Sequence, residues 1–260
     1  MPLIHANRTE LNYDLTGPAD APVVVFSNSI GTTLEMWDGQ VPALAERYRC
    51  LRYDTRGHGR SPVVDRPIGI ADLADDLAGL LEALAIPKAH VVGLSLGGMT
   101  AQAFALRHPG RLDRLALMAT AAHLPPPEAW RARAETVRTQ GMGAIVEAVI
   151  PRWFTPSFVQ HAPDQVAAVR ERFLANDPRG YARCCEAIAA MDLRLAISRI
   201  TAPTLILAGA GDPATPVAMM VEIRDRIAGA VLHVLPEAAH LLAIEQSETV
   251  TAKLIQFLGH

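Results

Sequence analysis

Six apolar runs of strand length punctuate this chain, and segments of helical period separate most of them. The runs are VVVFSNS (23–29), RCLRYD (49–54), HVVGLS (90–95), RLALMATA (114–121), TLILAGAGD (204–212) and VLHVLPE (231–237). Each ends in small or polar residues. The clearest helical segment is 70–85, where Ile70, Leu73, Ala74, Leu77, Leu80, Leu81 and Leu84 recur at three-and-four spacing and form one face. Residues 96–107 follow Ser95 without a break and also read as helix. Strands alternating with helices need crossover connections, so the pattern predicts an α/β fold: a mostly parallel twisted sheet with helices on both faces. The opening LIHANRTELNYDL reads as two short strands joined around Asn7-Arg8.

One region breaks the alternation. From 122 to 199 there is no strand pattern; 128–150 and 163–191 carry Ala, Glu, Arg, Met and Leu at helical spacing, punctuated by prolines. The expected organisation is a core of 1–121 and 200–260 with a helical lid, 122–199, inserted over one end of the sheet.

Half of the 260 residues are apolar, enough for a buried core, and the net charge is −3. That charge gives no reason to expect nucleic acid or an anionic membrane as partner. The start MPLIHANRTELNYDL has no basic segment followed by an apolar one, and no apolar stretch reaches the roughly eighteen residues of a membrane span. Cys50, Cys184 and Cys185 are expected as reduced thiols, so the reading is a cytoplasmic protein. No Cys/His spacing resembles a metal site, and no metal or cofactor is expected. The oligomeric state is left open.

The sharpest local signal is VVGLSLGG at 91–98. Gly93, Gly97 and Gly98 each cost conformational entropy, so something at Ser95 needs the room. The stretch is a G-x-S-x-G sequence at a strand-to-helix junction, which lifts the serine oxygen clear of the sheet's carboxyl edge. A serine hydroxyl needs a base held by an acid, expected in the order Ser, Asp or Glu, His. GDPATP puts Asp212 at the end of the fifth apolar run, and PEAAHLLAIE puts His240 in a loop after the sixth. Ser95, Asp212 and His240 therefore fall on one edge of the sheet.

Rivals are fewer. His58, in YDTRGHGRS, is the best competitor as base; Asp113 lies before its strand on the opposite edge, and Asp192 closes the helical block. His233 alternates within a strand and is expected to be structural, and His5, His90, His108, His123, His161 and His260 have no partner pattern. An oxyanion would be held by the amide of Leu96 and by one from SNSIGT: Ile30 first, Ser29 second.

VVVFSNSIGT, LRYDTRGHGRS, VVGLSLGGMTAQAFALRHPGRLDRLAL, GDPATP and AAHLLAIEQ together resemble the α/β-hydrolase family over almost the whole chain. Within it, NSIG and the stretches GMGAIVEAVIPRWFT (141–155) and GYARCCEAIAAMDLR (180–194) resemble the 3-oxoadipate enol-lactonases of bacterial aromatic breakdown. The resemblance implies a carboxylic-ester hydrolase that opens a small carboxylated lactone through an acyl-enzyme. It also implies a cation in the lid for the substrate carboxylate: Arg133 first and Arg131 second, with Trp130 and Trp153 as apolar walls. The same three residues would also serve a carboxylesterase, a carbon–carbon bond hydrolase, a haloperoxidase-like side reaction, or a receptor that does not turn over.

Overall fold

In the computed structural model, which describes residues 2–259, eight strands form one sheet in the order β1-β2-β4-β3-β5-β6-β7-β8. These are β1 (Leu3–Ala6), β2 (Thr9–Thr16), β3 (Val23–Ser27), β4 (Arg49–Tyr53), β5 (Ala89–Leu94), β6 (Leu112–Met118), β7 (Thr204–Gly209) and β8 (Val231–Leu235). His260 lies outside the described residues. β1 and β2 form the expected hairpin, with Asn7 at φ 44° and Arg8 at φ 63° making the turn. β2 also runs antiparallel to β4, and every pairing from β4 through β8 is parallel. β3, β5 and β7 are buried along their whole length, which is how strands look when helices cover both faces. β8 is the open edge, and only Leu235 of it is buried. His233 there is exposed, so it is a surface residue rather than a structural one.

Helix Ile70–Ala83 buries the apolar face read from its spacing and is closed at its start by Asp72, whose carboxylate accepts the Gly69 amide at 2.8 Å. Helix Leu96–Arg107 is buried along nearly its whole length against the sheet.

After β6 the chain leaves the sheet and runs through helices Pro127–Gln140, Val146–Val149, Pro156–His161, Pro163–Leu174 and Pro178–Ala190 before β7. The two long helical stretches expected here are therefore broken. Gly141 at φ 78° ends the first, and Asp177-Pro178 restarts the second, with the Asp177 carboxylate accepting the Arg179 amide. The two ends of this excursion are pinned together: the Leu193 amide donates to the Ala122 carbonyl at 2.8 Å, and His123 Nδ1 donates to the Met191 carbonyl at 2.9 Å.

The excursion meets the sheet through close backbone approach. A Cβ on Gly57 would come within 2.6 Å of Gly180 Cα, so Gly57 lets the excursion pack down on the loop, whereas one on Gly59 would meet the Asp54 carboxylate. From the excursion, Asn176 bonds the sheet side twice, donating to the Gly31 carbonyl and accepting the Gly59 amide, each at 3.0 Å. No helix among the described residues is long and apolar enough to cross a membrane, and all three cysteines are buried and free.

Candidate active site

The bend after β5 has the strain that its glycines suggest. Ser95 sits at φ 57°, ψ −115°, a backbone conformation that L-residues rarely adopt. Its amide donates to the Met118 carbonyl at 2.9 Å, and its carbonyl accepts the Thr120 hydroxyl at 2.7 Å, so neighbouring β6 holds the bend in place. A Cβ on Gly93 would lie 2.2 Å from the Gly97 carbonyl oxygen, and one on Gly97 would lie 2.0 Å from that of Ser27. Neither position admits a side chain.

Asp212 and His240 come from the loops after β7 and β8. Asp212 Oδ1 accepts the amides of Ala214 at 2.7 Å and Thr215 at 3.0 Å, while Oδ2 accepts the Thr215 hydroxyl at 2.6 Å and His240 Nδ1 at 2.8 Å. Burial alone would raise the Asp212 pKa; the imidazole charge and the bonds from His240 and Thr215 outweigh it and hold it down at about 2. The carboxylate is therefore ionised at neutral pH, and it fixes the tautomer that leaves His240 Nε2 free.

Ser95 and His240 line one cavity of about 190 Å³, together with Ile30, Thr215, Trp130, Trp153, Arg133 and Arg152. Among the described residues Ser95 Oγ makes no hydrogen bond; contacts between a nucleophile and its base are commonly long and tighten on the substrate. The Leu96 amide opens its helix, so it has no partner within that helix, and Ile30 lines the cavity. The Ser29 amide instead faces Met36 Sδ at 3.4 Å, which leaves Ile30 the freer donor of the two.

The Arg133 guanidinium carbon lies over the Trp130 ring, 4.6 Å from its centroid, and Trp153 packs edge-on against Phe173. Arg131 is turned away: it pairs with Glu128 at 3.4 Å on the outer surface and does not line the cavity, because an offset of two residues puts it on a different helix face from Arg133.

His58 does not reach the cavity. It is 1% exposed, its Nδ1 lies 3.4 Å from the Arg56 carbonyl, and its ring centroid is 6.2 Å from that of Tyr181 under the excursion. Burial pushes its pKa down to about 4, and the ring is neutral packing. Asp113 lies inside β6 rather than before it, because the strand begins at Leu112; it pairs with Lys88 at 2.5 Å at the far end of the sheet. Asp192 holds Arg194 at 2.6 Å, and His108 does have a partner, Asp75 at 2.8 Å.

Three contributors were not read from the sequence. Thr215 binds both oxygen Oδ2 of Asp212 and, at 3.3 Å, His240 Nδ1. Arg152 is a second cation at the cavity, donating to the Pro213 carbonyl at 3.1 Å. Glu245 bonds Ala239 and Thr155; the visible signal was a single acid within the apolar run AAHLLAIEQ. No group of three or more His, Cys, Asp or Glu among the described residues could hold a metal ion.

A strained serine at a strand-to-helix bend, with an acid and a histidine from later strands on the same rim, defines a class. The chain belongs to the α/β-hydrolase family, whose model, described as the alpha/beta hydrolase fold, matches residues 22–247. It is 40% identical to 3-oxoadipate enol-lactonase 2 of Acinetobacter baylyi over 95% of both chains. The crystal structure of the enol-lactonase from Burkholderia xenovorans superposes with a TM-score of 0.97 at 43% identity, covering 100% of each chain. A third relative, the proposed carbamate hydrolase RutD of Variovorax paradoxus, is 32% identical over 96% of both chains.

Proposed function

We propose that this hydrolase opens a carboxylated enol-lactone, of the 3-oxoadipate type, with Ser95 as nucleophile and His240 as base. The supporting observation is the composition of the cavity wall. Ser95 and His240 share it with two guanidinium groups, Arg133 and Arg152, and no carboxylate lines it. Such a wall favours a small anion, and about 190 Å³ is small against the roughly 300–1,000 Å³ typical of sites for drug-sized ligands. The likeness to two enol-lactonases supports the same choice.

His240 Nε2 takes the proton of Ser95 Oγ as that oxygen bonds to the lactone carbonyl carbon. The carbonyl oxygen becomes an oxyanion facing the Leu96 and Ile30 amides, while Asp212 steadies the imidazolium. Collapse breaks the ring C–O bond. The enolate that leaves takes the proton back from His240 and ketonises, and the acyl group stays on Ser95. Water, deprotonated by His240, attacks the acyl carbon; Ser95 recovers its proton and the acid is released. Arg133, held over the Trp130 ring, pairs with the carboxylate that the substrate already carries. Three buried free thiols suit a reducing compartment and support a cytoplasmic setting for the proposed reaction.

The decisive assay follows loss of enol-lactone absorbance. Turnover by the wild type that disappears in Ser95→Ala and His240→Ala is the expected result, and absence of wild-type turnover overturns the reading. The RutD likeness supports one rival, carbamate hydrolysis by the same residues. Supplying a carbamate and the lactone at equal concentration separates them: the proposal requires the larger kcat/KM for the lactone.

A further inference from the structure

The chemistry above makes no use of Glu245, yet its carboxylate joins two segments that each carry part of the cavity wall. Glu245 ends the helical turn Leu242–Glu245, directly after the His240 loop. Its Oε2 accepts the amide of Ala239, the residue before His240, at 2.7 Å. Its Oε1 accepts the Thr155 amide at 2.9 Å and also the Thr155 hydroxyl. Thr155 belongs to the helical excursion, two residues beyond the cavity-lining Trp153.

Two further bonds run alongside. The Leu241 amide donates to the Trp153 carbonyl at 2.9 Å, and the Arg152 guanidinium donates to the Pro213 carbonyl at 3.1 Å. Segment 152–155 is thus tied to the loop of His240 and to the loop of Asp212. Glu245 makes no ion pair among the described residues, so three donors alone satisfy a half-buried carboxylate. A residue kept only to fill space would not need a charge there; a carboxylate gives shorter and stronger hydrogen bonds than a neutral acceptor.

We propose that Glu245 is a positioning residue. It sets the placement of His240 by holding the Ala239 amide, and it uses Thr155 to lock the wall bearing Arg152 and Trp153 to that base. The proposal rests on His240 acting as the base. Its consequence is that the wall which contacts substrate and the group which moves the proton are one rigid unit.

The test compares Glu245→Gln, Glu245→Ala, Thr155→Val and Thr155→Ser, with Ser95→Ala run in parallel. For each variant, kcat and KM are measured on the enol-lactone and on p-nitrophenyl acetate, and Tm is recorded. Glu245→Gln places an amide NH₂ against a donor. It is expected to lower kcat on both substrates by roughly 10- to 100-fold, the scale of a small misplacement of a catalytic group, with KM for the acetate within about twofold. Thr155→Val is expected to lose part of that rate, and Thr155→Ser, which keeps the hydroxyl, to restore most of it.

A kcat within about twofold of wild type in Glu245→Gln overturns the proposal, and so does a loss carried by KM alone. If the Glu245 variants do not fold, equal rates in Thr155→Val and Thr155→Ser overturn it instead. An inactive Ser95→Ala beside an unimpaired Glu245→Gln removes this inference only; an active Ser95→Ala removes the underlying reading as well.

Discussion

Ser95 and Arg133 line the same cavity but reach it by different routes. Ser95 is placed by its immediate neighbours in sequence: an apolar strand, a bend whose flanking positions tolerate no Cβ, and a helix. Arg133 is placed by where its helix packs, against helix Pro178–Ala190; the Arg133 helix buries only Ala134 and Val137 of its own, and the Trp130 ring under Arg133 lies one turn away on it. On the proposed reading, the sheet edge would hold the chemistry rigidly, and the excursion would hold selectivity on surfaces that single substitutions can change. The physical origin is in the burial. β5 and β7 are buried throughout, so a change at their ends disturbs the sheet, whereas helix Pro127–Gln140 is mostly exposed.

That contrast predicts unequal damage. Ser95→Ala should lower kcat by about six orders of magnitude on every substrate, as loss of such a nucleophile does elsewhere; lactone and neutral ester assayed side by side check this. Asp212→Asn should cost about 10⁴-fold in kcat, because the His240 tautomer is then no longer fixed. Arg133→Ala should act differently, raising KM for a carboxylated lactone about 10- to 100-fold while leaving a neutral ester nearly untouched. Equal effects of Arg133→Ala on both substrates would break the division between edge and excursion. Gly57→Ala, at φ +73° and under Gly180, should lower stability by about 1–3 kcal/mol, read as a fall in Tm, while the residual folded enzyme keeps its kcat.

The pH dependence of stability sharpens the same comparison. The Asp212 pKa is held down at about 2 in the folded protein, below its ordinary value in the unfolded chain. Its contribution is therefore present above about pH 4 and is lost as pH falls towards 2. Thermal melts from pH 5 downward should show wild type losing more stability than Asp212→Asn.

Most of the sheet and its rim was legible because each strand carries its own apolar run and its own terminator. The order Ser95, Asp212, His240 could be read because parallel strands put all their carboxyl ends on one side. Arg131 and Arg133 have similar composition around them, and helix phase alone puts Arg133, the first choice, at the cavity and Arg131, the second, outside it. For the other rivals, distant contacts decide. His58 looked like a base because its loop ends at the correct edge, but the Gly57–Gly180 approach that shapes the loop also roofs the ring over. Thr215 bonds Asp212 within its own loop as well as the remote His240, and Arg152 and Glu245 bond segments remote in the chain, partners that no local pattern records.

The most direct measurement is kcat/KM of the wild-type protein for the enol-lactone as free acid against the same lactone as its methyl ester. An edge that performs the chemistry beneath an excursion that selects the anion predicts a preference for the free acid of at least about tenfold, the worth of one charge-assisted contact. Equal values for the two, or faster turnover of the methyl ester, would contradict it.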